Sequence, residues 1–97
     1  MFIGICRITL RMAENASLKD KRQVVKSVTQ RLRNKFSVAV AEVGDLDRWQ
    51  IATIGIACVS NEAHHAREVI EKAVAFVREQ RLDAELLESE IEVSQAF

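Results

Sequence analysis

Ser17-Leu18-Lys19-Asp20-Lys21-Arg22 is the densest run of chemically capable side chains in this 97-residue chain. Ser17 followed three residues later by Asp20 has the spacing of a capping box. The hydroxyl accepts from the first helical amides and the carboxylate reaches back to the backbone. Lys19, Lys21 and Arg22 crowd the same turn, where a cation opposes the helix dipole at a cost of ~0.3–1 kcal/mol each. Residues placed against a local rule often mark a functional site, and cations around a helix N-terminus suit a phosphate group. Lys26 and Arg33 lie further along the same helical pattern. Lys19, Lys21, Arg22, Lys26 and Arg33 are therefore the candidate anion- or RNA-binding residues.

Other residues capable of chemistry form no constellation. His64 and His65 are adjacent on a helical segment and point about a third of a turn apart, so they cannot share a metal as an i, i+4 pair does. Glu88, Glu90 and Glu92 occupy one face of a strand, with no nucleophile or metal ligand near them in the sequence. A solvated or ion-paired strand face accounts for them. Cys6 and Cys58 stand singly among apolar residues and read as reduced, buried thiols. No catalytic residues, metal site, cofactor or small-molecule substrate is expected, and the chain does not read as an enzyme.

Charge is unevenly spread in a chain of zero net charge. Seven cations and only Asp20 as an acid fall between Ser17 and Phe36. Residues 1–50 hold ten basic and five acidic side chains, and residues 51–97 hold four and nine. Such polarity attracts anions or orients copies of a molecule against one another. The longest nearly apolar run, Ile51 to Val59, is too short to span a bilayer. Arg7 interrupts the first apolar segment, which has no secretory-signal pattern. A cytoplasmic protein without membrane association is expected.

These side chains are positioned by alternating periodicities. Phe2 to Met12 reads as a strand with Phe2, Cys6, Ile8 and Leu10 on one face and Ile3, Ile5, Arg7, Thr9 and Arg11 on the other. Val24, Val25, Val28, Leu32 and Phe36 recur at helical spacing. Ser37–Val43 and Trp49–Val59 read as strands, and Ser60 or Asn61 caps a second helix with Ala66, Val69, Ile70, Ala73, Val74 and Val77 inward. Leu86–Val93 is the last strand, with Leu87, Ile91 and Val93 opposite the glutamates. The order βαββαβ predicts one α+β domain over residues 1–97, a ferredoxin-like sandwich with a four-stranded antiparallel sheet and two helices on one face.

That architecture leaves one sheet face without helices. By strand parity it carries Ile3 and Ile5 together with Trp49 and Ile51, and this cluster is the predicted oligomer interface, giving a homodimer. Cross-strand ion pairs are expected between Arg7 and the glutamates of the last strand. The predicted core holds Cys6, Ile8, Val28, Leu32, Ile54, Ile56, Val69, Ile70 and Ala73. Many functions use this fold. An RNA-recognition motif would place aromatic residues on the central strands, where Ile3, Ile5, Thr53 and Gly55 stand. A heavy-metal carrier would show paired cysteines in the first loop, and an acylphosphatase a glycine-rich cradle there. That loop reads Ala13-Glu14-Asn15-Ala16.

The succession SLKDKR, RLRNKF, VAVAEV and RWQIATIGIACVSN resembles the YlxP-like family of small bacterial proteins of unknown function. The resemblance covers Met1 to about Val93. Ser17, Leu18, Lys19, Lys21 and Arg22 match the family's loop motif, and Glu42, Trp49, Gln50, Gly55, Ser60 and Asn61 its hairpin and helix cap. Asp20 stands where the family often has glutamate. The resemblance implies a ferredoxin-like fold and, from genes that often lie beside those for translation initiation and ribosome maturation, a role around RNA or the ribosome. It brings no catalytic residues. Two function classes follow: an RNA- or ribosome-associated accessory protein acting through its basic first helix, or an oligomeric protein–protein interaction module without nucleic-acid binding. Small-molecule sensing at a dimer interface ranks below both. Net neutrality weighs against strong general RNA binding, as does the acid-rich last strand unless it lies on the far side.

Overall fold

Helical and alternating segments follow one another as the periodicities require. In the computed structural model, which describes residues 1–80 and 83–97, strand β1 spans Phe2–Met12 and helix α1 spans Leu18–Lys35. Strands β2 (Ala39–Gly44) and β3 (Ile51–Ser60) form a hairpin, followed by helix α2 (Ala63–Glu79) and strand β4 (Ala84–Gln95). The sheet is antiparallel throughout, in the order β2-β3-β1-β4. It is the ferredoxin-like sandwich. No helix among the described residues is long and apolar enough to cross a membrane.

The core lies between sheet and helices. Cys6, Ile8, Leu10 and Met12 of β1 and Ala52, Ile54, Ile56 and Cys58 of β3 are buried against Val28 and Leu32 of α1 and Ala66, Ile70, Ala73, Val74 and Val77 of α2. Val69 is only partly buried at the margin of this cluster. Gly4 lets α2 approach closely: a Cβ there would come within 3.0 Å of the Ala66 carbonyl oxygen and of Ile70 Cγ1. Phe36 and Phe76 meet edge to face, 5.7 Å between ring centres, where the ends of α1 and α2 converge.

Three local expectations are corrected. Leu87 does not face the core. A bulge sets Thr9 opposite Glu88 but Leu10 opposite Leu86, so Leu86 turns inward and Leu87 is left exposed. The extra residue resets strand parity, which simple alternation cannot register. Helix α2 has Glu62 at its N-cap without a side-chain cap, and the Ser60 hydroxyl instead accepts from the Glu62 amide at 3.1 Å. The third correction concerns the open face. Ile3 lies opposite Val59 and Ile5 opposite Ala57, whereas Ile51 lies opposite Arg11. An antiparallel pair thus puts Ile51 at the far end of the sheet from Ile3, eight β1 residues or about 27 Å away. Trp49 precedes the strand altogether. Ile3, Ile5, Trp49 and Ile51 are therefore not one cluster.

Candidate nucleic-acid interface

Helix α1 begins as its sequence dictates. Ser17 is the N-cap, its Oγ accepting from the Asp20 amide at 3.1 Å, while Asp20 Oδ2 accepts from the Ser17 amide at 2.8 Å. Those hydrogen bonds hold the Asp20 carboxyl below its ordinary pKa, the backbone bond from Ser17 contributing most. The basic residues that follow divide into two groups by helix geometry.

Lys21 leaves the candidate site. Its side chain is fully buried, and its ammonium donates to the carbonyl oxygens of Asp45, at 2.5 Å, and Arg48, at 2.6 Å. Glu42 Oε2 lies 3.0 Å away, buried and with no hydrogen-bond donor, so the contact is an ion pair rather than a hydrogen bond. Two carbonyl acceptors and a carboxylate enclose the fully buried ammonium, and no room is left for an external anion. Lys21 instead fastens the β2–β3 connection to the first turns of α1. The dipole penalty that singled it out is offset inside the fold. A charge run in sequence cannot show which member turns inward, although Lys21 falls on the Val28–Leu32 side of the helix.

The other four come together. At 100° per residue, Lys19, Arg22, Lys26 and Arg33 fall within a sector of about 60°, and they span about 21 Å along the axis. All four are exposed. Arg33 Nη2 donates to the Val40 carbonyl, which puts the stripe on the flank of α1 nearest the β2 edge. Among the described residues none of these four pairs with an acid, whereas Arg7 pairs with Glu90 at 2.7 Å and Arg11 with Glu85. Arg31 lies on the other flank, bound to Gln80 Oε1 at 2.8 Å.

The acidic strand lies where it does not compete. Helix α1 packs over β2 and β3, while α2 packs over β4, β1 and part of β3. β4 forms the opposite edge of the sheet, and Glu88, Glu90 and Glu92 project on the helix-free face. The objection raised by the acid-rich last strand is thereby met. His64 is exposed and 3.7 Å from Glu68. No group of three potential metal ligands occurs among the described residues. Cys6 and Cys58 are free and buried; burial pushes the Cys6 thiol up to about 11.

Residues 3–91 match the family model described as a protein of unknown function, DUF503. The chain belongs to the DUF503 family. It is 35% identical over 75 residues to the uncharacterized protein YlxP of Bacillus subtilis, covering 77% of this chain and 82% of that protein. The resemblance drawn from the SLKDKR and RWQIATIGIACVSN segments is thus sound. A solved structure from Deinococcus radiodurans, described as an antibiotic biosynthesis monooxygenase, aligns over 100% of this chain and 93% of its own, with 18% identity and a TM-score of 0.46. DUF503 carries no assigned activity, so the geometry of α1 has to suggest one.

Proposed function

We propose that this DUF503 protein is a non-enzymatic accessory protein that binds RNA, on the ribosome or free, by laying the outer flank of α1 along the phosphate backbone. The observation that supports this is the stripe Lys19, Arg22, Lys26 and Arg33: four cations in line with no acid partner among the described residues, on the side of the molecule away from β4. The stripe offers charge and no base-reading groups, so binding is governed by backbone phosphates and is weakly sequence-dependent.

The test is a salt titration. For single-stranded RNA and four phosphate contacts the slope of log K against log salt is about −2.8, so affinity falls about 50-fold between 50 and 200 mM salt. Replacing Lys19, Arg22 and Lys26 with glutamine leaves the cap and the core untouched and reduces the slope to about −0.7. A parent protein that binds no RNA at low salt, or a triple variant that binds as the parent does, makes the stripe a solvated face. The protein–protein reading then takes its place, and the bare sheet face favours it.

A further inference from the structure

We infer that a second copy of the chain covers the helix-free face of the sheet, with the two-fold axis running parallel to the strands. The register runs an apolar band along this face, from Val59 opposite Ile3, through Ile5 opposite Ala57, to Val43 over Gly55. Ile5, Val43 and Val59 are 41%, 58% and 68% exposed, more large apolar surface on one face than singly scattered residues leave. Between Ile5 and Val43, Ala41, Gly55 and Ala57 floor a groove of about 860 Å³, with Arg7 and Glu90 at its side. Gly55 is empty of side chain because Val43 lies over it; a Cβ there would meet Val43 Cγ1 at 2.9 Å.

Both sheet edges are closed to a further strand. On β2 the Arg33 guanidinium occupies the Val40 carbonyl, and β2 is only six residues long. On β4 the glutamates would meet their own kind in an antiparallel pairing of two copies centred on the strand. The face is what remains. Strands about 4.8 Å apart and rising about 3.4 Å per residue give it roughly 600 Å² per copy, about 1,200 Å² in a pair. That sits at the lower end of a specific interface and suits a partner of the same dimensions.

Charge selects the axis. A two-fold across the strands would lay β4 on its own image and desolvate Glu88, Glu90 and Glu92 against the same residues. A two-fold along the strands puts β4 over the partner's β2, whose face carries only the uncharged Ala39, Ala41 and Val43, and leaves the glutamates at the wet rim. The same operation lays β1 over the partner's β3 and seats Ile5 on Ala57, the residues being level in the register. Large side chains then meet small ones, as close packing between sheets requires.

Sedimentation velocity on the intact chain at about 100 µM, a concentration suited to an interface of this size, should give the mass of a dimer. Ile5→Asp and Ala57→Asp should each give a folded monomer by circular dichroism, and Glu71→Lys on the exposed side of α2 should remain dimeric. A short bismaleimide should cross-link an Ala57→Cys protein and not a Glu90→Cys protein, the native thiols being buried. A monomeric parent at that concentration, or dimers that survive both aspartate substitutions, overturns the proposal. Cross-linking through Glu90→Cys alone overturns the axis.

Discussion

Replacing Lys21 by methionine should be among the most damaging single changes available outside the apolar core. Methionine keeps most of the stem's volume and removes only the ammonium. Glu42, half-buried beside the loop, then loses the cation 3.0 Å from its Oε2, and the carbonyls of Asp45 and Arg48 lose a charged donor. Breaking a buried pair from one side typically costs 3–5 kcal/mol, because the remaining charge stays desolvated. Water can reach the exposed Asp45 and Arg48, so the loss should fall near the low end, about 3 kcal/mol. Small domains hold about 5–15 kcal/mol in total. With a urea m-value of about 1–2 kcal/mol per molar, the midpoint should drop by about 1.5–3 M. The paired variant Lys21→Met with Glu42→Leu should recover most of that loss, since an apolar pair no longer strands a charge. Equilibrium urea unfolding at neutral pH measures both. A single variant within ~0.5 kcal/mol of the parent is the range of ordinary surface substitutions. It would refute the assignment of Lys21 to the interior and return it to the cationic stripe.

Leu32→Ala or Ile54→Ala should cost about 2–5 kcal/mol in the same assay, each removing a side chain with no exposed surface from the layer between sheet and helices. Gly4→Ala should destabilise by about 1–3 kcal/mol, because the nearest obstacle includes the Ala66 carbonyl oxygen, which is backbone and cannot swing aside. The Cys6 thiol ionises at about 11 when folded against 9.0 as a free group. The native state therefore holds its proton while the unfolded chain loses it, and stability should fall by about 2–3 kcal/mol as pH rises from about 9 to 11. A Cys6→Ala variant should lack that alkaline limb in pH-dependent urea unfolding, and a parent with a flat profile there would show the thiol to be solvated.

Periodicity carried most of the fold, because alternation of Cys6, Ile8 and Leu10 against Ile5, Arg7 and Thr9 admits one buried face. The Arg7–Glu90 pair followed from the same parity. Alternation places Leu87 inward and the structure does not, because a bulge is an insertion in register and nothing in the residues from Ala84 to Glu90 distinguishes it from a regular strand. Face parity alone groups Trp49 and Ile51 with Ile3 and Ile5, and the antiparallel direction of β3 against β1 separates them. In sequence Lys21 reads as part of the anion site, because a cation in a first turn looks costly in isolation. Its partners Glu42, Asp45 and Arg48 lie 21 to 27 positions away and become neighbours only when the hairpin closes.

The two proposals make compatible demands on the molecule. A pair of copies joined through their helix-free faces keeps both helical layers outermost, so both α1 stripes stay in water on opposite sides of the dimer. The acids of β4 are then drawn toward the rim of the interface, further from the α1 stripe of the same chain than any other strand. Charge segregation along the sequence becomes segregation in space because the sheet order β2-β3-β1-β4 sends the basic helix and the acidic strand to opposite edges. A dimer with two independent four-contact stripes should also bind a long RNA more tightly than a short one, since the second contact becomes intramolecular once the first has formed. Ile5→Asp should remove that length dependence while leaving the affinity for a short oligonucleotide unchanged. Equal loss of affinity for both lengths would mean that the open face, and not α1, contacts the RNA.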